Sequence, residues 1–328
     1  MKAAFVGSDP AQFARVYAGK QLDELKSRVE LLPGLYEDVH DPALSEVEAI
    51  FSTWSMLSVS EEEIKTCLPK LKYVFYAAGS VQRFVRPFLN CGVRVFSAWQ
   101  ANAVAVAQYT FAQIELALKG YFPTQALISK SRAEARAMFE HYSGSYEVRV
   151  GLLGCGAIGS MVAELLKMLD VEVLAYDPFL SDERAQQLGV RKTDMDEIFA
   201  KCEVVSNHLA NLPATVGIIK RHHLLSMLPY ATFINTGRGA QLVEQDLYDM
   251  LTQDPTRCAL LDVLIDELHT DDNPLRKLPN CFITPHIAGA NGLEVRRMAR
   301  YMLNAFDQVQ AGEPSSCEVL AHMLENMA

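Results

Sequence analysis

Short apolar runs alternate with stretches of helical spacing along almost the whole chain. Ala3–Val6, Val29–Leu32, Ala49–Ser52, Tyr73–Ala77 and Val93–Phe96 predict a first set of strands. Val148–Leu153, Val171–Tyr176, Val204–Leu209, Thr232–Asn235, Ala259–Val263 and Phe282–Thr284 predict a second. These runs are apolar throughout, which suits strands buried on both faces of a parallel sheet. Between them, Ile158–Leu169 and Val243–Leu251 carry helical periodicity, and Ser60 followed by Glu63 is a capping box that opens another helix. The alternation predicts an α/β fold of two doubly wound parallel-sheet domains. Two longer helical patterns, over roughly 103–119 and 292–310, follow the two sets of strands. They let the chain cross from a first domain to a second and return. A dinucleotide-type domain over 104–290 and a discontinuous first domain, 1–103 plus 291–328, are the expected layout.

Composition narrows this without redirecting it. The chain has 328 residues, 50% apolar and 21% charged, which excludes collagen, coiled coil and disorder and allows about two domains. A net charge of −10 with no Lys/Arg cluster argues against nucleic acid as a partner. The apolar start is too short for a signal peptide, and no run reaches the roughly 18 apolar residues that span a bilayer, so no membrane partner is expected. Seven scattered cysteines, none in a C-x-x-C pair, read as reduced thiols of a cytoplasmic protein, with no metal site. His222-His223 reads as a solvated helix start, and Cys155 as a small filler.

Candidate chemistry begins at residue 148. The strand Val148–Leu153 runs into Gly154-Cys155-Gly156-Ala157-Ile158-Gly159, and helical spacing follows at once. Gly154 allows the tight turn, Gly156 lets backbone approach a pyrophosphate, and Gly159 lets helix and strand pack closely. The amides of Ala157 and Ile158 open the helix toward the phosphates. The next strand ends in Asp177, placed to bind adenosine ribose hydroxyls and to repel a 2′-phosphate; Pro178, not an Arg, follows it. That favours NAD over NADP.

Three more strands end in polar segments: Asn235-Thr236-Gly237-Arg238-Gly239, Asp262 through Glu267, and Pro285-His286-Ile287-Ala288-Gly289. Each residue alone is ordinary, since an Arg or Glu after a strand is usually solvated. Together, downstream of a nucleotide turn, they supply a carboxylate anchor, a proton donor and a group that tunes the donor.

These motifs resemble those of the D-isomer-specific 2-hydroxyacid dehydrogenases, from about residue 71 to 305 and most strongly from 148 to 290. The resemblance implies hydride transfer between NAD(H) and C2 of a small D-2-hydroxy acid or 2-keto acid. It implies that Arg238 holds the substrate carboxylate, that His286 moves the proton, and that Glu267 orients His286 and raises its pKa. It extends the cofactor set to Thr215, Thr236, Gly237, Asp262 near the nicotinamide amide, and Gly289. It places Trp54, Ala78, Gly79 and Ser80 at the substrate, with hinge closure between the domains. A homodimer is implied as well, packed through the 120–145 stretch.

Departures are local. Val81-Gln82 replaces an Asp-Asn pair, Gln108 a Glu, Leu268 a Pro and Ala210 a Pro; Arg83 is an added cation. The segment Ser52–Met56 lacks the Arg that members acting on 3-phosphoglycerate tend to carry. Trp54 and Met56 suit an apolar or medium-sized side chain. The alternative function is an NAD(H)-binding, corepressor-like sensor of the same family without turnover.

Overall fold

The computed structural model describes residues 1–325. The chain forms two compact units, Met1–Asn102 with Ala290–Ala328, and Ala103–Gly289. Positions 326–328, at the end of the anticipated return segment, lie outside the described residues.

In the first unit, β1 (Lys2–Val6), β2 (Glu30–Tyr36), β3 (Ala49–Ser52), β4 (Tyr73–Tyr76) and β5 (Arg94–Ser97) form a parallel sheet in the order β2-β1-β3-β4-β5. Phe51, Phe75 and Phe96 lie side by side in register on β3, β4 and β5, with ring centroids 4.9 and 5.0 Å apart. The helix Val295–Ala311 packs on them through Phe306, 5.7 Å from Phe75, and buries Met298, Met302 and Leu303 in the same core. Aromatic pairs in such geometry add to the area they bury.

The second unit holds β6 (Tyr146–Leu153), β7 (Asp170–Tyr176), β8 (Arg191–Lys192), β9 (Val204–Asn207), β10 (Thr232–Asn235), β11 (Cys258–Leu261) and β12 (Cys281–Ile283). All are parallel, in the order β12-β11-β10-β9-β6-β7-β8. Alternate residues feed separate cores on the two faces. Val205, Phe233 and Leu261 pack with Ile198, Phe199 and Leu247. Val204, Ile234 and Leu260 pack with Ile114, Val162 and Leu166. That is the doubly wound arrangement the apolar runs imply. Strand order reverses between β6 and β9, where open α/β sheets bind ligands.

Three details differ from the pattern-based expectation. β9 stops at Asn207, two residues early, because the Asn207 Oδ1 accepts the Leu209 amide (3.2 Å) and turns the chain. β8 has only an Arg and a Lys, so no apolar signal marks it. A last strand, β13 (Glu318–Val319), joins β5 antiparallel, at the edge of a sheet expected to be wholly parallel. The tail returning from the final helix meets that edge in the opposite sense, which needs no crossover. Among the described residues no helix is long and apolar enough to cross a membrane.

Candidate active site

The turn after β6 is shaped by its own packing. Gly154 has φ +90°, and a Cβ there would meet the His208 carbonyl at 2.7 Å. A Cβ at Gly159 would meet the Gly154 carbonyl at 2.0 Å, whereas Gly156 faces open space. Two glycines are therefore needed for close approach, and the third leaves a bare cradle at the start of the helix Ala157–Leu166. The first amides of a helix have no partner within it and point at whatever fills that cradle. Half-buried Asp177 accepts Cys155 N through Oδ2 (2.7 Å) and Phe179 N through Oδ1 (2.8 Å), which ties the turn to β7. Burial pushes the Cys155 thiol up to about 12, so it is a filler and no nucleophile. These residues fit a dinucleotide: an open glycine at a helix start, with a carboxylate at the end of the neighbouring strand.

The Arg turn after β10 is built on a buried amide network. Asn207 Nδ2 donates to Asn235 Oδ1 (3.0 Å) and Gln241 Oε1 (2.6 Å), and Gln241 Nε2 donates to the Leu209 carbonyl (2.7 Å). Asn235 accepts Gly237 N (3.0 Å) and donates to the Arg238 carbonyl (3.1 Å). Arg238 is half-buried, and its Nη1 donates to the Gly237 carbonyl (2.8 Å). It has no carboxylate partner among the described residues, which leaves an anion site on a fixed turn. Thr236 is buried with its hydroxyl 3.0 Å from that of Thr110. The Thr215 hydroxyl donates to the Ala210 and Leu212 carbonyls and closes its own turn. No sequence signal marks Asn207, Asn235 as a network member, or Gln241, because no spacing rule picks out amides that meet from two strand ends and a turn.

His286 follows β12 with φ +53°, a left-handed conformation that non-glycine residues rarely adopt. Its ring Nδ1 lies 2.9 Å from Glu267 Oε2, and both side chains remain nearly half exposed, at 47% and 42%. Asp262, at the end of β11, is buried. Its carbonyl accepts His286 N (3.0 Å), Oδ1 accepts Ile287 N (2.8 Å) and Oδ2 accepts Ala288 N (2.8 Å). The loop bearing Glu267 is held by Glu244, which accepts Ile265 N (2.6 Å) and the Asn273 amide (2.9 Å). Arg238, Glu267 and His286 thus follow three neighbouring strands, β10, β11 and β12, at one edge of the sheet. Gly289 is the last residue of this unit.

Two further histidines are buried, and one of them, His223, departs from the expected solvated position. His208 is buried, which pushes it down to about 3, and its Nε2 meets the Ser206 hydroxyl at 2.9 Å. His223 is buried rather than solvated and stacks on Phe199, while His222 is exposed. Its Nδ1 accepts Lys220 N (3.2 Å), which leaves the proton on Nε2, facing Asp196. That tautomer lacks the free Nε2 lone pair through which His223 could join Asp196 and His222 around a metal ion.

In the first unit, the Ala78-Gly79-Ser80 loop follows β4. Ser97 Oγ donates to the Ala78 (3.0 Å) and Gly79 (2.6 Å) carbonyls, and Thr53 Oγ1 to the Ala77 carbonyl (3.0 Å). These bonds fix the loop through its carbonyls, and a Cβ at Gly79 would meet open space. Trp54, after β3, is 42% exposed, and Arg83 is exposed.

Comparison with known proteins gives this geometry a context. The family model for the NAD binding domain of D-isomer specific 2-hydroxyacid dehydrogenases matches residues 116–288. The chain is 30% identical over 274 residues to a D-3-phosphoglycerate dehydrogenase of Synechocystis sp., covering 82% of this chain and 48% of that protein. It is 32% identical over 165 residues to a hydroxypyruvate reductase of Blautia hydrogenotrophica, covering 50% and 51%. The chain thus spans about half the length of these curated relatives. Among solved structures, the NAD-complexed D-isomer specific 2-hydroxyacid dehydrogenase of Lactobacillus delbrueckii ssp. bulgaricus superposes with a TM-score of 0.78, covering 98% of this chain and 100% of that one. At 22% identity that likeness establishes the fold.

Proposed function

The chain belongs to the D-isomer-specific 2-hydroxyacid dehydrogenases, and on that premise we propose that it transfers a hydride between NAD(H) and C2 of a small D-2-hydroxy acid or 2-keto acid. One observation carries the reading. An Arg with no carboxylate partner among the described residues and a His–Glu pair follow adjacent strands of the sheet that also bears the glycine cradle.

The Gly154–Gly159 turn and Asp177 hold the dinucleotide, with Thr215, Thr236, Gly237 and Gly289 along the same strand ends. Bound NADH supplies the hydride. Arg238 fixes the substrate carboxylate by a charge-assisted pair and turns the keto group toward the site. His286 holds a proton on Nε2 for the keto oxygen while Nδ1 is engaged by Glu267, so the ring keeps one orientation through the transfer. In the oxidative direction the same nitrogen takes the hydroxyl proton. In the first unit, taken by itself, the Gly79 and Ser80 backbone and the Trp54 ring are groups suited to a small acid and its side chain. With no Arg in Ser52–Met56, a substrate without a phosphate is favoured, and hydroxypyruvate belongs among the candidates.

Exposed Tyr121, Ile128 and Phe139 form an apolar face on the 120–145 stretch, which supports a homodimer packed there. Seven free thiols suit a reducing compartment, the cytoplasm.

The test is NADH and NADPH oxidation, read by absorbance, across a panel of 2-keto acids from glyoxylate and hydroxypyruvate to branched-chain keto acids. Turnover with NADH and little with NADPH is the expected result. Tight NADH binding with no turnover on any of them would leave a sensor in place of an enzyme.

A further inference from the structure

His286 sits in a strained conformation, and the hydrogen bonds that hold it continue past Asp262. Thr284 Oγ1 lies 2.6 Å from Asp262 Oδ1, an acceptor, so Thr284 is the donor. Its one proton is committed there. The contact between Thr284 Oγ1 and Tyr109 Oη, at 3.2 Å, therefore has Tyr109 donating. Gln113 Nε2 in turn donates to Tyr109 Oη at 3.1 Å. The bonds run one way from Gln113 to Tyr109 to Thr284 to Asp262, where they meet donors from the other side: the Ile287 and Ala288 amides donate to the carboxylate and the His286 amide to the Asp262 carbonyl. Gln113 and Asp262 are buried, and Tyr109 is half-buried. Burial pushes the Tyr109 phenol up, which keeps its proton on and available to donate. In such surroundings a chain of aligned hydrogen bonds is stronger than its isolated parts, and a missing member leaves a buried polar group unpaired.

Tyr109 and Gln113 lie on the helix Trp99–Leu118, the segment along which the chain passes from its first unit into its second. None of the three motifs that follow the strands includes them.

The geometry points to Tyr109 and Thr284 as positioning residues for His286: they load the Asp262 carboxylate, which fixes the left-handed backbone of His286 and so the direction of its ring toward Glu267. Neither touches the substrate. The inference rests on the reading of His286 as the proton donor, and it deepens that reading.

The variants are Tyr109→Phe, Thr284→Val and Thr284→Ser, in the full chain. Loss of one buried hydrogen bond predicts a fall in kcat of about 5- to 10-fold in Tyr109→Phe and Thr284→Val, with the NADH Kd held within about 2-fold. Thr284→Ser keeps the hydroxyl and restores kcat to within about 2-fold of wild type. The double variant Tyr109→Phe/Thr284→Val is no slower than Thr284→Val, because both act along one chain. A second readout needs no turnover: imidazole nitrogen NMR of the resting protein, with the His286 signals assigned by their loss in His286→Gln. Those signals move or broaden in Tyr109→Phe and Thr284→Val, and return in Thr284→Ser. Wild-type kcat and unmoved His286 signals in Tyr109→Phe overturn the inference, even if Thr284→Val fails to fold. Moved signals in a protein that reduces no 2-keto acid would instead remove the proposed function and leave the positioning chain standing.

Discussion

The loops after β9 and β12 leave the same, C-terminal end of the strands of one parallel sheet, and each carries a histidine. His208 is buried, held neutral by desolvation, and its Nδ1 has no partner among the described residues. Its backbone packs on Gly154, so it belongs to the floor of the glycine turn. His286 is nearly half exposed, strained in its backbone and paired with Glu267. The residue type is shared; solvent access and a carboxylate partner are not. A ring that must gain and lose a proton needs both, and a ring that fills space needs neither.

The largest expected effect tests this contrast directly. His286→Ala lowers kcat by about 10²- to 10⁴-fold, the usual worth of a general acid, and leaves NADH fluorescence titrations unchanged. Equal losses of turnover and NADH binding would place His286 on the structural side with His208.

A smaller effect separates the two in stability. The His208 value is lowered from 6.5 to about 3 in the folded chain, so between those limits only the unfolded chain takes up the proton. Stability is therefore full above 6.5 and falls as pH drops through that window. By linkage the loss at pH 5 is about 2 kcal/mol relative to pH 8, read from urea unfolding. His208→Asn flattens this slope. An unchanged slope in that variant would break the comparison, because His208 would then not be the buried neutral group described.

The smallest effect concerns Cys155, in the loop after β6, which groups with His208 as buried filler. Native protein treated with a thiol reagent at pH 8 gives the same number of reactive thiols in Cys155→Ala as in wild type. One fewer in the variant would mean that the turn opens to solvent and that Cys155 is more than filler.

The α/β class was legible because period and length agree: apolar runs of strand length alternate with helical spacing, and the Ser60–Glu63 box caps its helix as read. The strands of the second unit lie within a residue or two of their apolar runs, apart from β8, whose Arg-Lys pair carries no apolar signal. The strand-end motifs were legible because glycine, Arg and His are rare in combination and their spacing is local. The supports behind them were not. Asn207 and Asn235 end adjacent strands and meet Gln241 of the turn after β10, and Tyr109 reaches Thr284 across 175 positions of sequence. Polar residues of this kind look like ordinary loop or helix positions until a tertiary contact buries them.

By itself, then, the amino-acid order determined two parallel α/β sheets, the dinucleotide turn and the identity of the polar residues that end the strands. Those properties follow from periodicity, steric need at glycine and local chemistry, all of which act over a few residues. Only the tertiary structure decided which histidine is buried and which is poised, because burial depends on what the rest of the chain brings to the same place. It also decided the left-handed backbone of His286. That strain persists because Asp262, from another strand, holds three successive amides, and no local sequence rule sums a cost in one loop against bonds supplied by a second.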